Sequence, residues 1–143
     1  MVIFLAIAIL AAADATPGSA AESSVLHVRI LSLRNNSGHA HCTLFNSDAF
    51  PKDDSKAVKQ ADAPIRDNSA VCDFAGIPAG RYAVVAYHDE NDNGKFDESM
   101  IGMPEEGYAF SQNVHPTISA PSFEECAFDY KGGDQTITLN MIY

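Results

Sequence analysis

Residues 81–89 read RYAVVAYHD, and the way this stretch buries itself decides the fold. Tyr82, Val84 and Ala86 alternate with Ala83, Val85 and Tyr87, so an extended segment here is apolar on both faces. A strand covered on both faces belongs at the centre of a sheet. Working outward, VLHVRILSL (25–33) places Leu26, Val28 and Ile30 on one face, HAHCTLFN (39–46) does the same with Ala40, Cys42 and Leu44, and SAVCDFAGI (69–77) with Ala70, Cys72 and Phe74. CAFDYKG (126–132) and DQTITLNMIY (134–143) supply further strands. A loop of Asn35, Asn36 and Ser37, followed by Gly38, predicts a hairpin between the first two strands, and Gly132-Gly133 within KGGD predicts another between the last two. Residues 47–68 lose strand character, are broken by Pro51 and Pro64, and read as a surface crossover with at most a helical turn or two around DDSKAVKQA. With almost no helical periodicity, the pattern predicts an all-β, single-domain β-sandwich of about seven strands.

A chain of 143 residues, 46% of them hydrophobic, can bury one ordinary core. Its formal charge of −10 argues against general affinity for nucleic-acid phosphates or an anionic membrane surface. The first residues hold an apolar run from Val2 to Ala13, too short to span a bilayer, then small residues and a Pro-Gly break. This fits a signal peptide over residues 1–20, with cleavage after Ala20 or Ala21, a β-sandwich domain over 21–143 and no membrane span after cleavage. No Lys or Arg precedes Arg29, so the basic segment of such a leader is missing, and a buried N-terminal helix is the alternative. The expected location is the periplasm or the extracellular space. Export would put the three cysteines in an oxidising compartment. Cys42 and Cys72 both face inward, and a bridge between them would contribute on the order of 3 to 4 kcal/mol in the chain-entropy account. Three cysteines allow three pairings, and three reduced, buried thiols are the other reading.

The central strand runs straight into HDENDNGKFDESMIGMPEEGYAFS (88–111), which packs seven carboxylates, three glycines and two asparagines together. Asp89 to Asp97 fits D-x-N-x-N-G-x-x-D, the first nine positions of a calcium loop. Side-chain oxygens of Asp89, Asn91 and Asn93 converge when the backbone wraps a hard cation, and Gly94 permits the sharp turn. Lys95 then offers its carbonyl, Phe96 can anchor the loop to the core, and Asp97 ligates directly or through water. Position 12 is Met100 where a bidentate glutamate would stand, and a strand rather than a helix leads in. The reading is therefore an EF-hand-like loop (residues 89–98) on a β-scaffold, with Glu98, Glu105 or Glu106 available to complete the shell. Oxygen donors favour calcium as the ion. A solvated turn without metal is the simpler alternative, because the same residues favour turns.

FAGIPAGRYAVVAYHDENDNGKFDESMIGMPEEGYAFSQN (74–113), followed by APSFEECAFDY (120–130) and a terminal TLNMIY, resembles the bacterial exported family known as domain of unknown function 2141. The likeness runs from the first strand to Tyr143, and its specific part is residues 78–111. It implies a prealbumin-like or immunoglobulin-like β-sandwich exported to the periplasm or beyond. Cys126 stands where members of that family carry a small or apolar residue, which leaves it outside a Cys42–Cys72 bridge. The loop by itself is also similar to the calcium loops in repeated β-sandwich modules of bacterial surface proteins.

These readings lead to an exported binding or structural module, with a calcium-stabilised loop that presents an edge containing His88, Tyr108 and Phe110 to a protein or carbohydrate ligand. The alternative is a small periplasmic hydrolase or transport-linked protein using His88 with Asp89 or Glu90 as a general base. His39 and His41, two apart on one strand face, could offer imidazoles to a metal, with His27 on the same side of the sheet, but without a third ligand they read as surface histidines. No G-x-S-x-G elbow, H-E-x-x-H pair or phosphate-cradling glycine loop appears, and neither Ser111 nor Cys126 carries a local activating signature.

Overall fold

A computed structural model describes residues 24–98 and 102–143. The expected signal peptide and Met100 lie outside the described residues. The strands are β1 (Val25–Leu31), β2 (His39–Phe45), β3 (Lys59–Pro64), β4 (Ala70–Ala75), β5 (Gly80–Asp89), β6 (Tyr108–Phe110), β7 (Phe128–Tyr130) and β8 (Gln135–Asn140). They form two sheets. In the first, β1 lies between antiparallel β4 and parallel β8. In the second the order is β3-β2-β5-β6, and β7 pairs with the start of β5. Helix among the described residues is limited to α1 (Phe123–Cys126) and two three-residue 3₁₀ turns, so the chain is the expected β-sandwich.

The ten residues of β5 occupy the centre of the second sheet, as their two apolar faces predict. Tyr82, Val84 and Ala86 join the core between the sheets, meeting Leu26, Val28 and Ile30 of β1, Cys42 and Leu44 of β2, and Cys72 and Phe74 of β4. Ala83 and Val85 point the other way, into a second cluster where Phe45, Phe50, Phe110, Phe123 and Cys126 cover the outer face. The short helix that delivers Phe123 and Cys126 is fixed by a capping box: Ser122 accepts from the Glu125 amide while the Glu125 carboxylate accepts from the Ser122 amide.

Both expected hairpins are corrected by the pairing. β1 and β2 lie in different sheets, and so do β7 and β8. The asparagine-rich loop after β1 instead bonds to a distant turn: the Leu33 and Asn68 backbones meet at 3.1 Å, and the Asn68 amide donates to Asn36 Oδ1 at 2.8 Å. Turn residues mark a reversal, but inward faces of equal parity are satisfied as well by opposing sheets as by one hairpin. The 47–68 region is also corrected, since it contains edge strand β3, whose inner positions are only Ala61 and Ala63. His27 lies in the first sheet, bonded at 2.6 Å to its cross-strand neighbour Asp73, and so does not join His39 and His41.

All three cysteines are free, buried thiols in this structure. Cys42 and Cys72 come from opposite sheets and touch, and burial followed by the hydrogen bond to Cys72 pushes the Cys42 thiol well above its ordinary range. Cys126 belongs to the outer cluster, where burial raises its thiol to about 12.

The acidic loop and the groove beside it

The loop grows out of the end of β5, and its first residue is its most buried. Asp89 is fully buried, and its two carboxylate oxygens accept from the Asn93 amide at 3.1 Å and the Gly94 amide at 2.8 Å. Asn91 Oδ1 also accepts from the Asn93 amide, and Asn93 Oδ1 from the Lys95 amide, so two successive Asx turns wind the backbone inward. Gly94 takes φ 72°, a left-handed conformation that a side chain would strain. The side chains of positions 3, 5 and 9 meet, while that of position 1 is taken up by the two backbone amides. The Asn91 amide donates to Asp97 Oδ2 at 2.7 Å, and the Asn93 amide to both Asp97 oxygens at 2.9 and 3.0 Å. These bonds, the Asn93 pair first, hold the Asp97 carboxyl below its usual range.

Three glutamates were candidates for completing the ring, and they have different surroundings. Glu98 is exposed and forms a backbone bridge with Pro104. Glu105 is exposed too, and its amide donates to the Asp97 carbonyl. Glu106 is buried, and its oxygens accept from the Glu90 amide at 3.1 Å and the Asp97 amide at 3.0 Å. One carboxylate thus straps the loop's entry to its exit. Burial raises the Glu106 carboxyl, with the neighbouring Asp97 and Asp89 charges adding to the effect against those two amide bonds. Lys95 is exposed, and its positive charge adds a smaller lowering to the Asp97 carboxyl.

A second brace comes from residues that the motif does not include. Arg34 forms a two-pronged ion pair with Glu90, donates to the Glu105 carbonyl at 3.3 Å and lies 4.6 Å over the Tyr143 ring. Gly38 and Gly107 allow close approach at this end of the sandwich: a Cβ on Gly38 would stand 1.8 Å from the Asp89 carbonyl oxygen, and one on Gly107 2.4 Å from the Tyr143 ring. His88 points inward and is fully buried, which corrects its expected place on a presented edge. Its Nε2–H donates to the Ser37 carbonyl at 2.7 Å, leaving Nδ1 to accept from the Tyr143 hydroxyl at 2.7 Å. Both nitrogens are committed to holding the structure together, and the general-base reading loses its solvent-facing imidazole. Ser111 is committed similarly, donating to the Cys126 carbonyl and accepting from the Val84 amide.

Phe96 is the loop's anchor, but to the outer face instead of the core. It packs against Tyr87 and Tyr108 at 5.8 and 6.2 Å between ring centroids, and the series continues through Phe110 and Phe50 to Phe45. Beside these rings runs a groove of about 620 Å³, floored by Val85, Tyr87, Phe96, Tyr108 and Phe110 and rimmed by Asp54 and Glu98. The expected edge residues Tyr108 and Phe110 therefore do lie together on one accessible feature. Burial, then the surrounding carboxylates, push the Tyr87 hydroxyl up to about 12, so it stays a hydrogen-bond donor at neutral pH.

Among the described residues, no helix is long and apolar enough to cross a membrane. Neither the curated proteins nor the solved structures include a match to this chain. Residues 28–138, which reach from within β1 to within β8 and include the acidic loop, match the family model described as "Uncharacterized protein conserved in bacteria (DUF2141)". The chain thus belongs to the bacterial family of domain of unknown function 2141.

Proposed function

We propose that this protein is an exported β-sandwich binding module whose 89–98 loop takes up calcium and thereby fixes the wall of the aromatic groove. The observation that carries this reading is the meeting of the Asn91, Asn93 and Asp97 side chains, with Asp97 accepting from both asparagine amides, while the Asp89 carboxylate holds the Asn93 and Gly94 backbone amides of the same loop. Rotation of those amides would turn their oxygens inward, giving the hard-oxygen set calcium prefers. Glu106, raised by burial and by its acidic neighbours, would regain its charge beside a cation. Phe96 connects the two halves of the proposal, because ordering the loop sets the ring that floors the groove. A groove of this size, mostly apolar with a few polar rim groups, suits a protein side chain or a sugar ring. In an oxidising compartment the contacting Cys42 and Cys72 thiols would close the bridge between the sheets.

Thermal melts in calcium and in chelator test the metal reading directly. At a calcium concentration 100 times the dissociation constant, stabilisation should be about 2.7 kcal/mol. Asp97→Ala should abolish that increment while leaving a folded protein in chelator. A melting temperature indifferent to calcium would reduce the loop to a hydrogen-bonded turn.

A further inference from the structure

The outer face of β2 carries a cluster that lies next to the calcium motif but has different donor chemistry. His39 and His41 are side by side on this face, and the sheet register sets His39 opposite Asp89 and His41 opposite both Tyr87 and Asp62. His39 Nδ1 meets Asp92, while its Nε2 lies 3.3 Å from Asp62 Oδ1 and 3.6 Å from Asp89 Oδ2. His41 Nδ1 stands 2.5 Å from the same Asp62 oxygen. One ligand atom each from His39, Asp89 and Asp92 lie within 4.8 Å of one another. Three carboxylates therefore surround one imidazole, and among the described residues the Lys and Arg ion pairs go elsewhere: Arg34 to Glu90, Lys56 to Asp53 and Arg81 to Glu124.

From this arrangement we infer a divalent transition-metal site, centred on His39, Asp89 and Asp92 and flanked by Asp62 and His41, for an ion of the Zn²⁺ class. Ligand atoms on one zinc ion at bond lengths of about 2.0–2.2 Å stand roughly 3.3–3.5 Å apart in a tetrahedron, and those of His39, Asp89 and Asp92 lie within 4.8 Å of one another, so a side-chain rotation would draw them onto one ion. An imidazole donor selects zinc, nickel or copper over calcium and magnesium, which take oxygen. The histidine pair is what separates this cluster from an ordinary acidic patch. Asp62 and Asp92 are more than half exposed, so an ion can enter from solvent and keep water in its remaining positions. Asp62, shared between His39 and His41, would orient the imidazoles as an outer carboxylate. The site shares Asp89 with the calcium loop but does not rest on calcium binding there.

Zinc titration by calorimetry, and cobalt titration read by visible d–d absorption, test the site on the full chain without added calcium, which would compete for Asp89. Wild-type protein should bind one zinc and give the band of a nitrogen-containing cobalt site. His39→Ala and Asp92→Asn should each weaken zinc at least tenfold and remove the band, with melting temperatures in chelator showing that both fold. Should His39→Ala not fold, Asp92→Asn at its exposed position decides the matter. Asp97→Ala should remove the calcium response but leave the cobalt band in place, whereas a wild-type melting temperature indifferent to calcium with a retained band defeats the calcium reading alone. Undiminished zinc binding in Asp92→Asn, or no zinc heat with wild type, overturns the inference.

Discussion

The inner face of β5 gives Tyr82, Val84 and Ala86 to a core closed on every side by the opposing sheet. Its outer face starts the same way, with Ala83 beneath Phe45, Phe50 and Phe123, but ends at Tyr87, where the covering chain stops and a groove opens. The polar end of the strand differs in the same sense: His88 turns inward with both nitrogens bonded, while Asp89 turns outward into a loop that a cation would suit. One face therefore serves stability, and the other is stable only where other segments cover it.

The two faces should respond differently to substitution, and the largest effect belongs inside. Phe74→Ala, at a fully buried position, should cost about 3–5 kcal/mol in urea denaturation with no change in metal binding. A cost below about 1 kcal/mol would mean that the inter-sheet core is not the main source of stability. Oxidation should act on the same side: peptide mapping under non-reducing conditions should link Cys42 with Cys72, leave Cys126 of the outer cluster free, and coincide with a gain of up to about 3–4 kcal/mol. A linkage through Cys126 would contradict the placement of the thiols. Gly107→Ala, which forces a methyl group into the Tyr143 ring, should cost about 1–3 kcal/mol. Fluorescence of the tyrosines should report the displaced ring, and an unchanged denaturation midpoint would show that Tyr143 moves freely.

Outside, the effects should be smaller and differently coupled. Phe96→Ala should cost about 1 kcal/mol, as a half-buried side chain, yet reduce the calcium-dependent change in tyrosine fluorescence. Retention of that change would separate the loop from the groove. The smallest effect concerns pH. Glu90, held low chiefly by its hydrogen bonds with Arg34, and Asp97, held low by Asn93 and Asn91, have folded pKa values below their unfolded ones. Their stabilisation is therefore present at neutral pH and fades as pH falls through those depressed values. Glu106, raised, works in the opposite sense and favours the folded state as it takes up its proton. Arg34→Met should remove the Glu90 part, up to about 1 kcal/mol, seen as a shallower acid limb in urea midpoints. An identical acid limb would assign the slope to other carboxylates.

Much of this division is legible in the sequence. Period-two alternation correctly sets Leu26, Val28 and Ile30, then Cys42 and Cys72, on inward faces, and the apolar faces of residues 82–87 place β5 centrally. Pairing was less accessible, because a turn signal such as Gly132-Gly133 reports that the chain reverses and says nothing of which sheet it enters. Strand β3 stayed hidden because Lys59, Gln60 and Asp62 give its outer face the composition of a loop, and alanines alone mark the inner one. In the acidic loop, spacing along the chain singles out Asn91, Asn93 and Asp97, whose side chains meet, and Asp89, whose carboxylate holds the turn. Glu106 as a strap, Arg34 as a brace and His39 beside Asp92 depend on segments that meet only through sheet register, so no local spacing announces them.

The parallel pairing of β1 with β8 has a consequence for how this molecule comes into being. Leu26 finds its partner at Gln135 and Leu31 at Asn140, so the first described strand is completed by the last. Until residues 135–140 arrive, β1 has one open edge and its sheet holds only two strands, exposing apolar surface and unpaired backbone. Contacts so distant in sequence make folding slow, because a long stretch of chain must close before they form. Removal of β8 should accordingly leave an incomplete sandwich with an open edge on β1, prone to self-association.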